Sequence, residues 1–263
     1  MDLMIQTYLI NLAVDLDRLE AFRRGFDRLG LPFERIEAID GRTFSEEDFR
    51  RFQKDRPRHG KGWLRGQMGC FLSHHMAWQK IAAGPDRFGA IFEDDIHVSD
   101  DLSAILAQDE WIPDDADVIR LETSTNRLLL SSRPVLTFGK RKLHRVHSTS
   151  WCAGGYILSR KTAQRLIELP TRNHEPSDAL LYSFTESVIA KELNILQFQP
   201  APCIQDKYLN PDNMAFSSNI EVAAVHRPIQ SKVRNLIFGI SPLAIIGAVY
   251  RTLRGYKRVT FER

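Results

Sequence analysis

The stretch from Tyr8 to Gly41 restricts the fold more than any other part of the chain. Tyr8-Leu9-Ile10-Asn11-Leu12 is a short apolar run of the kind that lies buried in a sheet. Asp17 stands three residues before Glu20, a capping-box spacing. Leu16, Leu19, Phe22, Phe26 and Leu29 then recur at helical intervals until Gly30 and Pro32 stop the helix. Residues 33–39 offer a second strand. Strand, helix and strand within about 35 residues make a βαβ unit, which favours a parallel sheet. The expected fold is therefore α/β, a mostly parallel central sheet flanked by helices.

The rest of the chain continues the alternation. Ser45 opens a short charged helix, residues 56–66 read as a loop, and a helix over about 67–83 ends at Gly84-Pro85. Residues 89–92 form a buried strand that runs into Glu93-Asp94-Asp95. Residues 117–121 are another strand, and 135–138 with 143–146 suit a hairpin around Gly139-Lys140. A strand at 155–158, a Ser159-capped helix ending at Pro170, a helix near 177–192 and a strand at 195–198 complete the body. An apolar content of 43% with 26% charged residues excludes extended disorder and a multispan membrane protein. The formal charge of +3 hides an asymmetry, since residues 227–263 hold eight bases against one acid, Glu262. We place a boundary near Ala224, giving a body of 1–224 and a basic, apolar tail of 225–263. Cys70, Cys152 and Cys203 are widely spaced with no C-x-x-C pair, so neither a zinc ribbon nor a disulfide framework is expected. The N-terminus lacks the charged region and cleavage site of a signal peptide, and a cytoplasmic location is expected.

The acidic triplet Glu93-Asp94-Asp95 carries the sharpest chemistry. Ligands of open α/β sheets bind at the carboxyl ends of strands, and this triplet follows an apolar strand. Glu93 and Asp95 point the same way if the chain stays extended, and their repulsion is relieved by a cation between them. Oxygen ligands suit Mg²⁺ or Mn²⁺, which would then hold a nucleotide diphosphate. A solvated acidic turn is the plainer alternative. Gly66-Gln67-Met68-Gly69-Cys70 precedes Ser73-His74-His75; the glycines would let backbone amides approach a phosphate, and Ser73 and His74 could donate to a ligand. The alternative is a glycine-rich helix entry with satisfied core polar groups. Asp178, near a helix start, is either a cap or a general base for an acceptor hydroxyl. The eight histidines include no H-E-x-x-H pair, and neither G-x-S-x-G nor a Walker loop occurs. The basic run Lys140-Arg141-Lys142 lacks interleaved aromatics, so no nucleic-acid partner is expected.

In sequence order, these motifs resemble glycosyltransferase family 25, the lipooligosaccharide and collagen galactosyltransferase group. The resemblance runs from the Tyr8–Leu12 strand with Asp17-Arg18 and Ala38-Ile39-Asp40-Gly41, through Gly66-Gln-Met-Gly69-Cys70-Phe-Leu-Ser73-His74 with Trp78, to Ile91-Phe92-Glu93-Asp94-Asp95. It continues in Gly154-Gly155-Tyr156-Ile157-Leu158-Ser159, Pro176-Ser177-Asp178 and Pro202-Cys-Ile-Gln205. Phe92 stands where the family more often has Leu. The resemblance implies a GT-A-like nucleotide-sugar-binding fold and inverting transfer from a UDP-sugar to a cell-surface glycan or lipooligosaccharide, with galactose the simplest hexose. It implies a divalent metal, Mn²⁺ or Mg²⁺, at Glu93 and Asp95, and a UDP-sugar site formed by Asn11, Asp40, Ser73, His74, Asp94 and Gln205. Asp178 is the candidate base, with metal binding or acceptor binding as alternatives. A metal-dependent nucleotidyltransferase and a catalytically silent binding module are the rival readings.

The tail has 16 uncharged residues between Arg234 and Arg251. As a helix that stretch would reach about 24 Å, short of the roughly 30 Å hydrocarbon core. Flanked by Arg254, Lys257 and Arg258, it suits an anionic membrane surface instead, which would place the protein peripherally on the cytoplasmic face of the inner membrane. A tail packed back on the body is the alternative.

Overall fold

The structure is a computed structural model that describes residues 4–58, 62–124, 126–210 and 255–263. The opening unit forms as the sequence requires: β1 (Gln6–Asn11), α1 (Leu16–Arg28) and β2 (Glu34–Glu37), with β1 and β2 parallel. The helix begins two residues earlier than the capping-box spacing suggests, after Asp15, and has no side-chain cap bond. Leu19, Phe22 and Phe26 form its buried face, while Leu16 points outward at 61% exposure. After α2 (Glu46–Asp55), whose first turn is capped by Ser45, comes the long α3 (Arg65–Ala83), followed by β3 (Phe88–Glu93), which pairs parallel with β1.

The remaining elements are β4 (Ile96–Val98), α4 (Leu102–Leu106), β5 (Val118–Arg120), β6 (Glu122–Thr123), β7 (Arg127–Leu129), β8 (Leu136–Phe138) and β9 (Arg141–Arg145). Then follow β10 (Gly155–Ser159), α5 (Arg160–Ile167), α6 (Ser177–Tyr182), β11 (Ile195–Gln199), β12 (Cys203–Gln205), α7 (Asp206–Leu209) and β13 (Tyr256–Arg258). The main sheet has the order β2-β1-β3-β10-β5-β11-β9-β8. It is mixed rather than mostly parallel, because β10 enters antiparallel between β3 and β5, and the β8–β9 hairpin lies antiparallel to β11. Alternate residues of each strand face opposite layers. Tyr8, Ile10 and Ile91 pack towards α3 and α5, whereas Leu9, Ala90 and Phe92 pack towards α1 and α4. The result is a helix–sheet–helix sandwich.

The helix expected over 177–192 stops at Tyr182. The Ser183 hydroxyl accepts from Glu186 N, and Ser187 Oγ donates to Leu180 O while accepting from Ile189 N and Ala190 N. These side chains offer the backbone other partners than the helical ladder. A separate sheet, β4-β12-β6, brings the segments after Glu93, before Lys207 and around Glu122 side by side.

The predicted boundary at Ala224 and most of the tail lie outside the described residues. The last nine residues pack on the body. β13 pairs with β7, Val259 is buried, and Thr123 Oγ1 donates to Val259 O at 2.7 Å. The buried Arg141 guanidinium donates to Glu262 O and to Asp101.

Candidate active site

The carboxyl ends of β1 and β3 and the start of β10 meet along one edge, and a cavity of about 310 Å³ opens there. Its walls include Ile10, Asn11, Asp40, the Glu93–Asp95 triplet, Asp178, Gln205 and Lys207. The sheet thus gathers residues separated by up to two hundred positions at the place where open α/β folds bind ligands.

The triplet divides its contacts. Asp94 accepts from Asn11 Nδ2 at 2.7 Å and pairs with Arg18 at 2.9 Å. Asp95 lies 3.5 Å from the same guanidinium, and its main-chain carbonyl accepts from Asp206 N. Gln205 Nε2 donates to both Glu93 Oε2 at 3.0 Å and Asp95 Oδ1 at 3.2 Å, so one amide spans the two carboxylates expected to hold a cation. Burial pushes the Asp94 carboxyl up to about 6 against the pull of Arg18. Burial and the neighbouring Glu93 charge push Asp95 up to about 7. For Glu93 burial also works upward, but the hydrogen bond and charge of His74 prevail and hold it below the usual carboxylate range.

His74 does not reach the cavity wall. It is fully buried behind Glu93, with Nε2 3.2 Å from Glu93 Oε1 and Nδ1 2.9 Å from the Tyr156 hydroxyl. Trp78 Nε1 donates to that hydroxyl at 2.8 Å, which leaves the tyrosine proton for His74 Nδ1 and keeps the His74 proton on Nε2, facing Glu93. Three residues in series therefore fix one carboxylate. Ser73 touches the cavity, but its hydroxyl is already committed, accepting from Ile39 N and donating to Gly69 O. A methyl group on Gly69 would stand 2.3 Å from Ile39 O, so this glycine serves the close approach of α3 to the loop after β2. Asp40 caps the turn at Gly41 and holds Arg42 in a two-point pair, which keeps the carboxyl below its ordinary range.

Asp178 lies at the second position of α6, half-buried on the cavity wall. Oδ2 accepts from Cys152 N at 3.1 Å and Oδ1 accepts from Ala179 N at 2.8 Å. Each carboxylate oxygen keeps a further lone pair for a hydroxyl entering from the cavity.

Three charged residues here have places at the site that the sequence reading did not assign. Arg18 offsets part of the triplet's charge. Lys207 stands exposed on the cavity wall; partial desolvation disfavours its charge, but Glu93, Asp95 and Glu122 nearby hold its pKa above the usual lysine value. Glu122 is buried, and its Oε1 accepts from Gly154 N at 2.6 Å. Its Oε2 has no hydrogen-bond partner among the described residues, and burial raises the carboxyl to about 8. It follows an apolar strand as Glu93 does, so the strand-end rule that exposed the triplet also applied to it.

A prediction follows for Glu122. Its folded-state pKa of about 8 exceeds an unfolded value of about 4.3, so the stability tied to its proton is complete below pH ~4.3 and is lost as pH rises through 8. Glu122→Gln removes that dependence. Its melting temperature should match wild type near pH 5 and exceed it increasingly towards pH 9. Thermal denaturation across that range checks this, and parallel curves would contradict it.

The donor set around the triplet is made of hard oxygens. Gln205 Oε1 is buried without a partner among the described residues, and the two raised aspartate pKa values mark negative charge that Arg18 and Lys207 leave incompletely offset. These residues fit Mg²⁺ or Mn²⁺. The cluster Cys70, His74 and Glu93 has its ligand atoms within 4.8 Å of one another, but burial pushes the Cys70 thiol well above its ordinary value, which disfavours the thiolate needed for ligation.

The α/β sandwich thus sets a carboxylate-lined cleft at the strand ends, where open α/β sheets bind ligands. Residues 4–181 match the family described as Glycosyltransferase family 25 (LPS biosynthesis protein), and the chain belongs to that family. It is 28% identical to the lipooligosaccharide biosynthesis protein lic2B of Haemophilus influenzae, over 94% of this chain and 95% of that one. It is 27% identical to the lacto-N-neotetraose biosynthesis glycosyltransferase LgtB of Neisseria meningitidis serogroup B, over 82% of each. Among solved structures, a glycosyltransferase involved in glycosylation of the major capsid of PBCV-1 aligns with TM-score 0.40 and 8% identity, over 77% of this chain and 92% of that one.

Proposed function

We propose that this glycosyltransferase moves a hexose, most simply galactose, from a UDP-sugar to a lipooligosaccharide-type glycan with inversion at the anomeric carbon. The observation that carries this reading is the single cavity faced by the Glu93–Asp95 triplet, Gln205, Lys207 and Asp178. The names of the relatives support the acceptor class.

Glu93 and Asp95, bridged by Gln205, would hold a divalent cation, which when bound supplies positive charge against the diphosphate of the departing UDP. Lys207 adds a cation on the same wall, and the Arg42 backbone and Asn11 border the nucleotide end. Asp178 takes the proton of the acceptor hydroxyl as that oxygen attacks the anomeric carbon, on the face opposite the leaving group. His74, Tyr156 and Trp78 keep Glu93 ionised and oriented, acting through it rather than on substrate.

Purified protein, UDP-galactose, Mn²⁺ and core oligosaccharide released from lipooligosaccharide test the reading. Release of UDP with gain of one hexose on the acceptor is expected. Release of pyrophosphate from UTP and a sugar 1-phosphate, with no hexose transfer from UDP-galactose, would identify a nucleotidyltransferase, and failure to bind UDP with Mn²⁺ would identify a silent module.

No helix among the described residues is long and apolar enough to cross a membrane. We assign membrane contact to the apolar, base-flanked sequence between Ser231 and Arg254, which would locate the enzyme peripherally on the cytoplasmic leaflet, where a glycolipid acceptor lies. Because β13 is bonded to the body, deletion of 231–254 with β13 retained is the appropriate variant. It should keep its melting temperature and lose sedimentation with anionic liposomes. Full-length protein that ignores such liposomes at low salt would contradict the assignment.

A further inference from the structure

Trp151 is left in solvent, 38% exposed, immediately before the cavity-lining pair Cys152 and Ala153. By contrast, Trp63 and Trp78 are buried. Among the described residues its ring makes no hydrogen bond or ring contact, but its backbone is fastened from two sides. Thr149 Oγ1 accepts from Phe184 N, Ser150 N donates to Tyr182 O, and Cys152 N donates to Asp178 Oδ2. From beneath, the Arg120 guanidinium, 1% exposed as a residue, donates to Trp151 O at 3.0 Å and Cys152 O at 3.2 Å. Arg120 is itself fixed by Gln197 Oε1 at 2.9 Å and by the Tyr182 ring, 4.2 Å from its centre.

These bonds hold Cys152 at φ 71°, the one positive φ of a non-glycine residue among the described residues. Such a conformation persists only where its surroundings over-determine it, and it clusters at ligand sites. It places Trp151 one residue before the amide that Asp178 holds, next to the cavity-lining Cys152.

We propose that Trp151 is the stacking platform for the acceptor sugar, an inference that rests on the transferase reading above. One face of a pyranose is a flat patch of C–H groups that matches an indole, while its hydroxyls project from the rim towards polar partners. A hexose lying on Trp151 would direct a hydroxyl to Asp178, which is bonded to the adjacent residue. The donor's base is accommodated elsewhere, along the apolar wall of Ile10, Leu12, Ala38 and Ile39 at the ends of β1 and β2.

Steady-state kinetics of Trp151→Ala and Trp151→Phe, with UDP-galactose, Mn²⁺ and core oligosaccharide released from lipooligosaccharide, test the assignment. The Arg120 bonds go to main-chain oxygens and survive both substitutions. Trp151→Ala should raise the acceptor KM roughly tenfold with the UDP-galactose KM unmoved, and Trp151→Phe should recover most of the loss. An unchanged acceptor KM in Trp151→Ala, or an equal rise in both KM values, overturns the platform. If the alanine variant fails to fold, Trp151→Gln decides, since it also lacks the ring: a rise in the acceptor KM with the UDP-galactose KM unmoved supports the platform, and equal or absent responses overturn it. Wild-type protein that transfers no hexose overturns the transferase reading itself, and this inference with it.

Discussion

Asp95→Asn is expected to cut transfer by more than about a hundredfold, while its melting temperature above pH 7 stays level or rises. The loss exceeds that typical of removing an outer-shell partner because a direct anionic oxygen disappears from the proposed cation site. The stability follows from the opposite side of the same arrangement. Burial and the Glu93 charge raise Asp95 to about 7 in the folded protein, against about 3.9 unfolded, so the stability tied to its proton is lost as pH rises through 7. Asparagine carries no charge to repel Glu93, and its Oδ1 can still accept from Gln205 Nε2. Activity and stability therefore move apart, as they do where a site concentrates charge for function. Initial rates with saturating Mn²⁺, together with melting curves at pH 6 and pH 8, check both halves. Near-wild-type turnover would contradict the role given to Asp95.

How far the sequence foretold this site depends on the range of the interactions. The β1–α1–β2 unit, the strand before the triplet, the Ser159 cap and the β8–β9 hairpin are local patterns, and local chemistry decides them. The ordered motifs led to the family, and most of them contribute residues to the cavity wall. Long-range contacts were not legible in the same way. That His74 serves Glu93 through a buried chain from Trp78 and Tyr156, rather than facing a ligand, depends on α3 lying across β10, which no spacing reveals. The antiparallel entry of β10 was hidden too, because a buried strand reads alike in either direction. Lys207 gave no signal at all, since it reaches the cavity only through the pairing of β12 with β4. Ser183 and Ser187 did offer a local sign that the helix after Ser177 would end early.

Asp178→Asn is expected to lower kcat by roughly 10²–10⁴-fold, the usual loss on removing a general base, with the UDP-sugar KM little changed. The amide keeps the shape but cannot take the acceptor proton. It also replaces one accepting oxygen by an NH₂ group where both oxygens now receive backbone amides, so a modest fall in melting temperature accompanies the kinetic loss. The split between kcat and KM separates this account from a purely architectural one. A wild-type kcat with a lowered melting temperature would make Asp178 only a brace for Cys152 and the start of α6.

The central claim is that Glu93 and Asp95, tied together by Gln205, hold a divalent cation that carries the donor's diphosphate. Calorimetric titration of UDP into the protein, with Mn²⁺ and again with excess chelator, tests it most directly. The account predicts tight binding with Mn²⁺ that collapses with chelator and in Asp95→Asn. UDP binding of equal strength with and without the metal would contradict it.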